Sequence, residues 1–179
     1  GVQTCALPIF YGSSGSGSYL HLTMAHFNAM TGTKMTHVPY KGGDAAGVAL
    51  AAGELQAMMA SMPIVRPHLG TNRIRVIAVC SETRMKQLPD TPTIAEAGVP
   101  GYDFVAWVAA FVPAGTPKAI VDRLSLEIKK ALDQPDVQSR FDAVAFETMF
   151  MTPEQFGVRL KSDSEKYAKL IALTGAKVD

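Results

Sequence analysis

Phe10-Tyr11-Gly12-Ser13-Ser14-Gly15-Ser16-Gly17-Ser18 is the stretch whose reading decides the fold. On its upstream side Leu7-Pro8-Ile9-Phe10-Tyr11 reads as the end of a strand. On its downstream side Leu20, Met24 and Phe27 recur at the spacing of one helix face. Strand, glycine-serine turn and helix in that order set bare backbone N–H groups and hydroxyls at a helix N-terminus. That end carries partial positive charge and unpaired donors, so it receives an anion without needing a lysine. A flexible linker has a similar composition, but a helix beginning directly after the turn argues against one.

The alternation continues outward from there. The first helix covers about residues 18–31 and stops at Gly32, a left-handed cap. Met35-Thr36-His37-Val38 follows as a short strand and runs into Pro39-Tyr40-Lys41-Gly42-Gly43-Asp44, a second glycine turn. A helix over about residues 45–52 closes at Gly53, and Leu55–Ala60 reads as a third strand. Ser61 is an N-cap for a short helix with Pro63 in its first turn. Ile74–Val79 is dense enough in β-branched residues to predict a fourth strand, buried on both faces. Repeated strand–helix–strand units of this length imply right-handed crossovers and a parallel sheet. Both glycine turns then lie at its carboxyl edge, where α/β folds place ligands.

After Cys80 the texture changes. Residues 81–103 carry Pro89, Pro92 and Pro100 around one helical turn, Thr93–Ala97, stopped by Gly98, and read as a connector between lobes. Phe104–Val112 predicts a strand. Thr116 is positioned to cap a helix with Pro117 as its first residue, and Ile120, Leu124, Ile128 and Leu132 mark that helix's buried stripe. A turn begins at Pro135, Val144–Met149 predicts a short strand, and Thr152-Pro153-Glu154-Gln155 fits a capping box. The last helix then runs through Phe156, Leu160, Tyr167 and Leu170 to Gly175.

The 179 residues are 47% hydrophobic and 18% charged with a net charge of +1, the balance of a globular chain able to bury a core. No basic run, zinc-ligand spacing or aromatic–basic interleaving points to nucleic acid. The two cysteines, Cys5 and Cys80, say little about compartment.

The motifs narrow the chemistry by elimination. The Gly12–Gly17 stretch has Leu20 where the third glycine of a dinucleotide fingerprint belongs, and no Gly-Lys-Ser/Thr exists for a Walker loop. The serine-hydrolase elbow fails because Ser16 follows Gly15. A hydrolase using Ser14 with His21 would need an acidic partner that the sequence does not place. His21 and His26 fall on different helix faces and make no metal pair, and His37 and His68 stand alone. No cofactor and no metal is expected. What remains is two loops of neutral donors with Lys41 as the one cation, a set that recognises a carboxylate or phosphate and performs no chemistry on it.

Four segments then occur in register: Tyr11-Gly12-Ser13-Ser14-Gly15, His37-Val38-Pro39-Tyr40-Lys41-Gly42, Leu88-Pro89-Asp90-Thr91-Pro92-Thr93-Ile94-Ala95-Glu96-Ala97-Gly98, and Pro113-Ala114-Gly115-Thr116-Pro117. Together they resemble the substrate-binding proteins of tripartite tricarboxylate transporters, the Bug-type periplasmic receptors. The resemblance implies an α/β, periplasmic-binding-protein-like, two-lobed fold that closes on a small carboxylate and hands it to the membrane permease subunits of a transporter. It implies a periplasmic protein that is no enzyme and has no nucleic-acid partner. It also implies ligand contacts from Ser13, Ser14, Gly15, Ser16 and Ser18 in the first loop and from Tyr40, Lys41, Gly42 and Gly43 in the second.

On this mapping residues 10–80 form most of the second lobe and 81–103 the connector. Residues 104–179 form the return to the first lobe, whose own start is missing, so one lobe is largely present and the other incomplete. Residues 1–9, Gly1 to Ile9, look like the translation of a sequencing-adapter oligonucleotide. On that reading Cys5 is not native and the natural chain, with its signal peptide, extends upstream of Phe10. One departure stands out: where relatives often carry Asp-Asn after the third strand, this chain has Ala60-Ser61. The alternative is the effector domain of a LysR-type transcription regulator, which shares the two-lobed architecture and would be told apart by an N-terminal helix-turn-helix.

Overall fold

The computed structural model describes residues 8–174, without the side chain of Leu173; the expectations at Cys5, Leu7 and Gly175 lie outside these residues. The chain divides into two compact units. One runs to Ala106 and resumes at Tyr167, and the other is Trp107–Lys166.

The first unit is built on three parallel strands, β1 (Phe10–Ser13), β2 (Thr36–Pro39) and β3 (Ala57–Met58), in the order β2-β1-β3. Helix α1 (Tyr19–Thr31) returns the chain beside β1. Helix α2 (Gly43–Ala52) carries it across to β1's other edge, as a parallel sheet requires. Gly32 ends α1 at φ 68°, the left-handed cap expected of it, and Gly53, expected to close α2, does so at φ 83°. Gly12 lets the layers close up: a Cβ there would lie 2.5 Å from Leu55 Cδ1 and 3.2 Å from Ala46 Cβ. Ser61 occupies the N-cap position of α3 (Met62–Leu69), with no capping bond from its hydroxyl.

The predicted third strand shrinks to two residues, and the fourth does not form. Residues 74–78 carry no ladder, Val79 makes a single parallel bridge to Thr93, and Ile77 is 71% exposed. β-branched residues favour a strand only where a neighbouring strand accepts their hydrogen bonds, and no described strand flanks them. The same cause removes the predicted strand at Phe104–Val112, which joins no ladder among the described residues.

The core cluster instead joins distant segments: Leu22 from α1, Ile94, Tyr102, Phe104, and Leu170 from the end of α6 (Pro153–Thr174). Tyr102 donates its hydroxyl to Thr23 O at 2.9 Å and Tyr19 donates to Phe104 O at 2.8 Å, so the buried phenols are satisfied. Thr93 and Glu96 exchange side-chain-to-amide bonds of 3.0 and 2.8 Å, a capping box on a single turn, with Arg84 on Glu96 at 2.9 Å.

The second unit holds α4 (Lys118–Leu132), α5 (Pro135–Ala143) and most of α6. Pro117 rather than Thr116 is the N-cap of α4, because the Thr116 hydroxyl donates back to Pro113 O at 2.8 Å. The stripe predicted as buried is open: α4 has no buried residue, and Ile120, Leu124 and Ile128 are exposed. The turn at Pro135 is a nine-residue helix, and Val144–Met149 forms no strand. The Thr152–Gln155 capping box does form, with reciprocal bonds of 3.0 and 3.3 Å. The one residue of this unit classed as buried is a charged one, Asp163. It accepts from Trp107 Nε1 at 2.7 Å and from Arg159 Nε at 2.8 Å.

Candidate functional site

The two glycine loops leave the sheet at the same edge. Ser13 and Pro39, the last residues of β1 and β2, are paired in register, and Tyr40 donates its amide to Ser13 O at 3.0 Å. A Cβ on Gly15 would come within 3.9 Å of Tyr40 O, so the loops lie side by side. The strand order reverses about β1, the topological switch point at whose carboxyl ends open α/β sheets bind ligands.

Within the first loop the residues divide by role. Ser13 is fully buried and its hydroxyl accepts the Gly15 amide at 3.1 Å while lying 3.0 Å from Gly15 O and 2.6 Å from His37 Nε2. Ser18 caps α1, accepting the His21 amide at 3.3 Å. Ser13, Gly15 and Ser18 are thus committed to the loop's own shape. Gly15 at φ 128° and Gly17 at φ 74° hold conformations that side chains rarely adopt. Ser14, half-buried, and Ser16, exposed, have hydroxyls that no hydrogen bond among the described residues engages. Beside them stand the amides of Tyr19 and Leu20, which, as in any first helical turn, have no carbonyl within the helix to bond.

In the second loop Tyr40 is half-buried and Lys41 exposed. Gly42, at φ 107°, is the N-cap of α2. Gly43 is held against Ile64 and Leu20 so closely that a Cβ would collide with Ile64 Cδ1. The two helix ends differ in charge. The first turn of α2 carries Asp44, which opposes an incoming anion, whereas that of α1 carries no carboxylate.

Beneath the first loop lies a cluster that the linear reading missed. The rings of His21 and His37 stack in parallel, 3.9 Å between centroids and 4° between planes, and Tyr11 stacks on His37 at 5.0 Å. His21 Nδ1 accepts the Gly17 amide at 3.0 Å. Burial lowers the pKa of His21. Burial, and then the neighbouring His21, push His37 down to about 4, so both rings are neutral at neutral pH. Burial also pushes the Tyr11 phenol up to about 12. The signal was available in the strand pairing, since parallel register sets Tyr11 opposite His37. Among the described residues no group of three or more His, Cys, Asp or Glu is arranged to hold a metal ion.

With that geometry, the comparisons with known proteins are specific. A family model described as tripartite tricarboxylate transporter family receptor matches residues 6–175. The chain belongs to this receptor family. A family member from a Pseudomonas species, encoded in a tcbD-tcbE intergenic region, is 38% identical over 162 residues, covering 90% of this chain and 48% of its own. A solved Rhodopseudomonas palustris protein with adipate superposes at a TM-score of 0.80 with 32% identity, over 94% of this chain and 56% of its own. The periplasmic binding protein BugD superposes at 0.76 with 26% identity, over 94% and 57%. The chain therefore spans about half the length of the relatives it matches here. Nothing in these matches supports the LysR-type reading.

Proposed function

We propose that the protein acts as an extracytoplasmic, periplasmic solute receptor that holds a small carboxylate at its two glycine loops. It would deliver that carboxylate to the membrane permease of a tripartite tricarboxylate transporter, without chemistry on the ligand. The observation that carries this reading is the uncommitted donor set at the N-terminus of α1: the Ser14 and Ser16 hydroxyls and first-turn amides, at a sheet edge and with no opposing carboxylate in that turn. Membership of a receptor family supports it, and the relative solved with adipate supports a carboxylate ligand. Ser14, Ser16, Tyr40 and Lys41 would contact the ligand, with Ser13, Gly15 and Ser18 shaping the first loop and Gly42 and Gly43 the second.

Calorimetric titration of adipate, citrate and glutamate tests the reading. A charge-assisted hydrogen bond contributes about 1.5–3 kcal/mol, so Ser14→Ala should weaken binding of the preferred acid roughly tenfold or more. No binding of any of the three, by this chain or by a form extended to the length of its relatives, would overturn the proposal.

A further inference from the structure

The stacked imidazoles lie under the loop, and both are bonded to it, His21 through the Gly17 amide and His37 through the Ser13 hydroxyl. A backbone amide is an obligate donor, so the 3.0 Å contact from Gly17 N to His21 Nδ1 requires that nitrogen to carry a lone pair and no proton. The proton of neutral His21 is then on Nε2. A second proton, taken from solvent, has Nδ1 as its place, where it would set one N–H against another. Gly17 cannot respond by reversing its own group, and the left-handed φ of 74° that it holds there would lose the bond that fixes it.

We infer that His21 is a positioning residue for the glycine-serine loop: its unprotonated Nδ1 latches the Gly17 amide, and protonation of Nδ1 releases it. The inference deepens the carboxylate-receptor reading, on which its biological meaning rests, because the latch fixes the loop that carries Ser14 and Ser16. The second half of the device is His37. Its ring is stacked on His21 at 3.9 Å, and its Nε2 is 2.6 Å from the Ser13 hydroxyl that accepts the Gly15 amide. The loop is thus tied at Gly15 and Gly17 to two imidazoles in face contact, and a charge on one opposes a charge on the other.

The titratable groups meeting in the cluster are Tyr11 from β1, His21 from α1 and His37 from β2. Burial depresses both imidazoles, and a charge on His21 further opposes one on His37. Both rings therefore titrate below the ordinary histidine range.

The test needs no ligand. In the 179-residue chain, a pH titration followed by NMR reads the ring proton signals of His21 and His37 together with the Gly15 and Gly17 amides. The Gly17 amide is expected to move upfield in step with His21. Its exchange with solvent, corrected for intrinsic pH dependence, should accelerate about five- to tenfold, the loss of one hydrogen bond. His21→Asn keeps an acceptor near the Nδ1 position and cannot take up the proton, so its Gly17 signal should stay flat. In His37→Gln the His21 and Gly17 transitions should still coincide, because burial rather than the His37 ring lowers the His21 pKa.

A Gly17 amide that ignores the His21 titration, or a Gly17 transition that survives in His21→Asn, overturns the inference. Calorimetry with adipate, citrate and glutamate is independent of this. Absence of binding of all three, in this chain and in a form extended to the length of its relatives, with Gly17 following His21 removes the ligand reading and leaves the latch. Binding with a flat Gly17 does the reverse.

Discussion

The two units spend similar fractions of apolar residues very differently. In the first, aromatic and aliphatic side chains from segments far apart in sequence close on one another, and Tyr102 and Phe104 are each 1% exposed. In the second, Val108, Phe111, Ile120, Leu124, Leu126, Ile128 and Val158 are all exposed. The lone buried group there is the Asp163 carboxylate with its Trp107 and Arg159 partners. Amphipathic periodicity is present in both. What differs is a second layer to receive the apolar face, since a helix stripe buries only against another element. The first unit has such a layer in its sheet and in the Ile94–Phe104 segment, whereas the second, taken by itself, does not.

The sharpest way to break this contrast is to truncate one aromatic in each unit. Phe104→Ala should destabilise by about 3–5 kcal/mol, the cost of emptying a large core position. Phe111→Ala, at a residue 68% exposed, should stay within about 0.5 kcal/mol. Urea unfolding measures both, and equal costs would mean that the second unit has an enclosed core after all.

Acid should separate the units by window. His21 and His37 have pKa values depressed below the ordinary 6.5, His37 to about 4. Above 6.5 the rings are neutral in folded and unfolded chain alike. As pH falls below it the unfolded chain takes up protons first, so the first unit's stability declines down to about pH 4. Asp163 in the second unit behaves otherwise. Burial raises its pKa, but the bonds from Arg159 and Trp107 outweigh burial and hold it below 3.8, so its contribution is lost only in stronger acid. Amide exchange followed from neutral pH downward should show the loop and α1 loosening first; simultaneous loosening of α6 near Asp163 would count against the separation.

Smaller effects sharpen the same comparison. Trp107→Phe removes one of two donors to Asp163 and should cost about 1.5 kcal/mol, read as faster exchange in the middle of α6. Lys118→Ala removes an exposed ion pair with Asp122 and should cost at most about 0.5 kcal/mol by thermal melting.

Much of the first unit is legible in the chain because its signals are local. Gly32 and Gly53 end helices for a conformational reason that needs no knowledge of neighbours, and the strand–helix alternation forces parallel pairing. The errors share a cause. At Ile74–Val79, Phe104–Val112 and the α4 stripe the sequence carries only what side chains prefer, while strand formation and burial depend on what lies opposite. At the site, the two loops and their shared edge follow from sequence. The division of labour among the serines does not, because Ser13 Oγ is claimed by His37, a residue from another strand. His37 looked solitary for the same reason: its partner His21 lies one helix away in the chain and 3.9 Å away in space.

The reach of the core cluster from Leu22 to Leu170 has a consequence for synthesis. Strand β1 precedes both of its pairing partners, so each later strand finds a template already made. The far side of α1 has no such luck. Its cover is completed by Tyr167 and Leu170, and at roughly 5–20 residues per second the ribosome supplies them on the order of ten seconds after Leu22. From their own synthesis until then, Tyr102 and Phe104 have no finished cavity to enter, so the first unit closes only after the segment Trp107–Lys166 has been made.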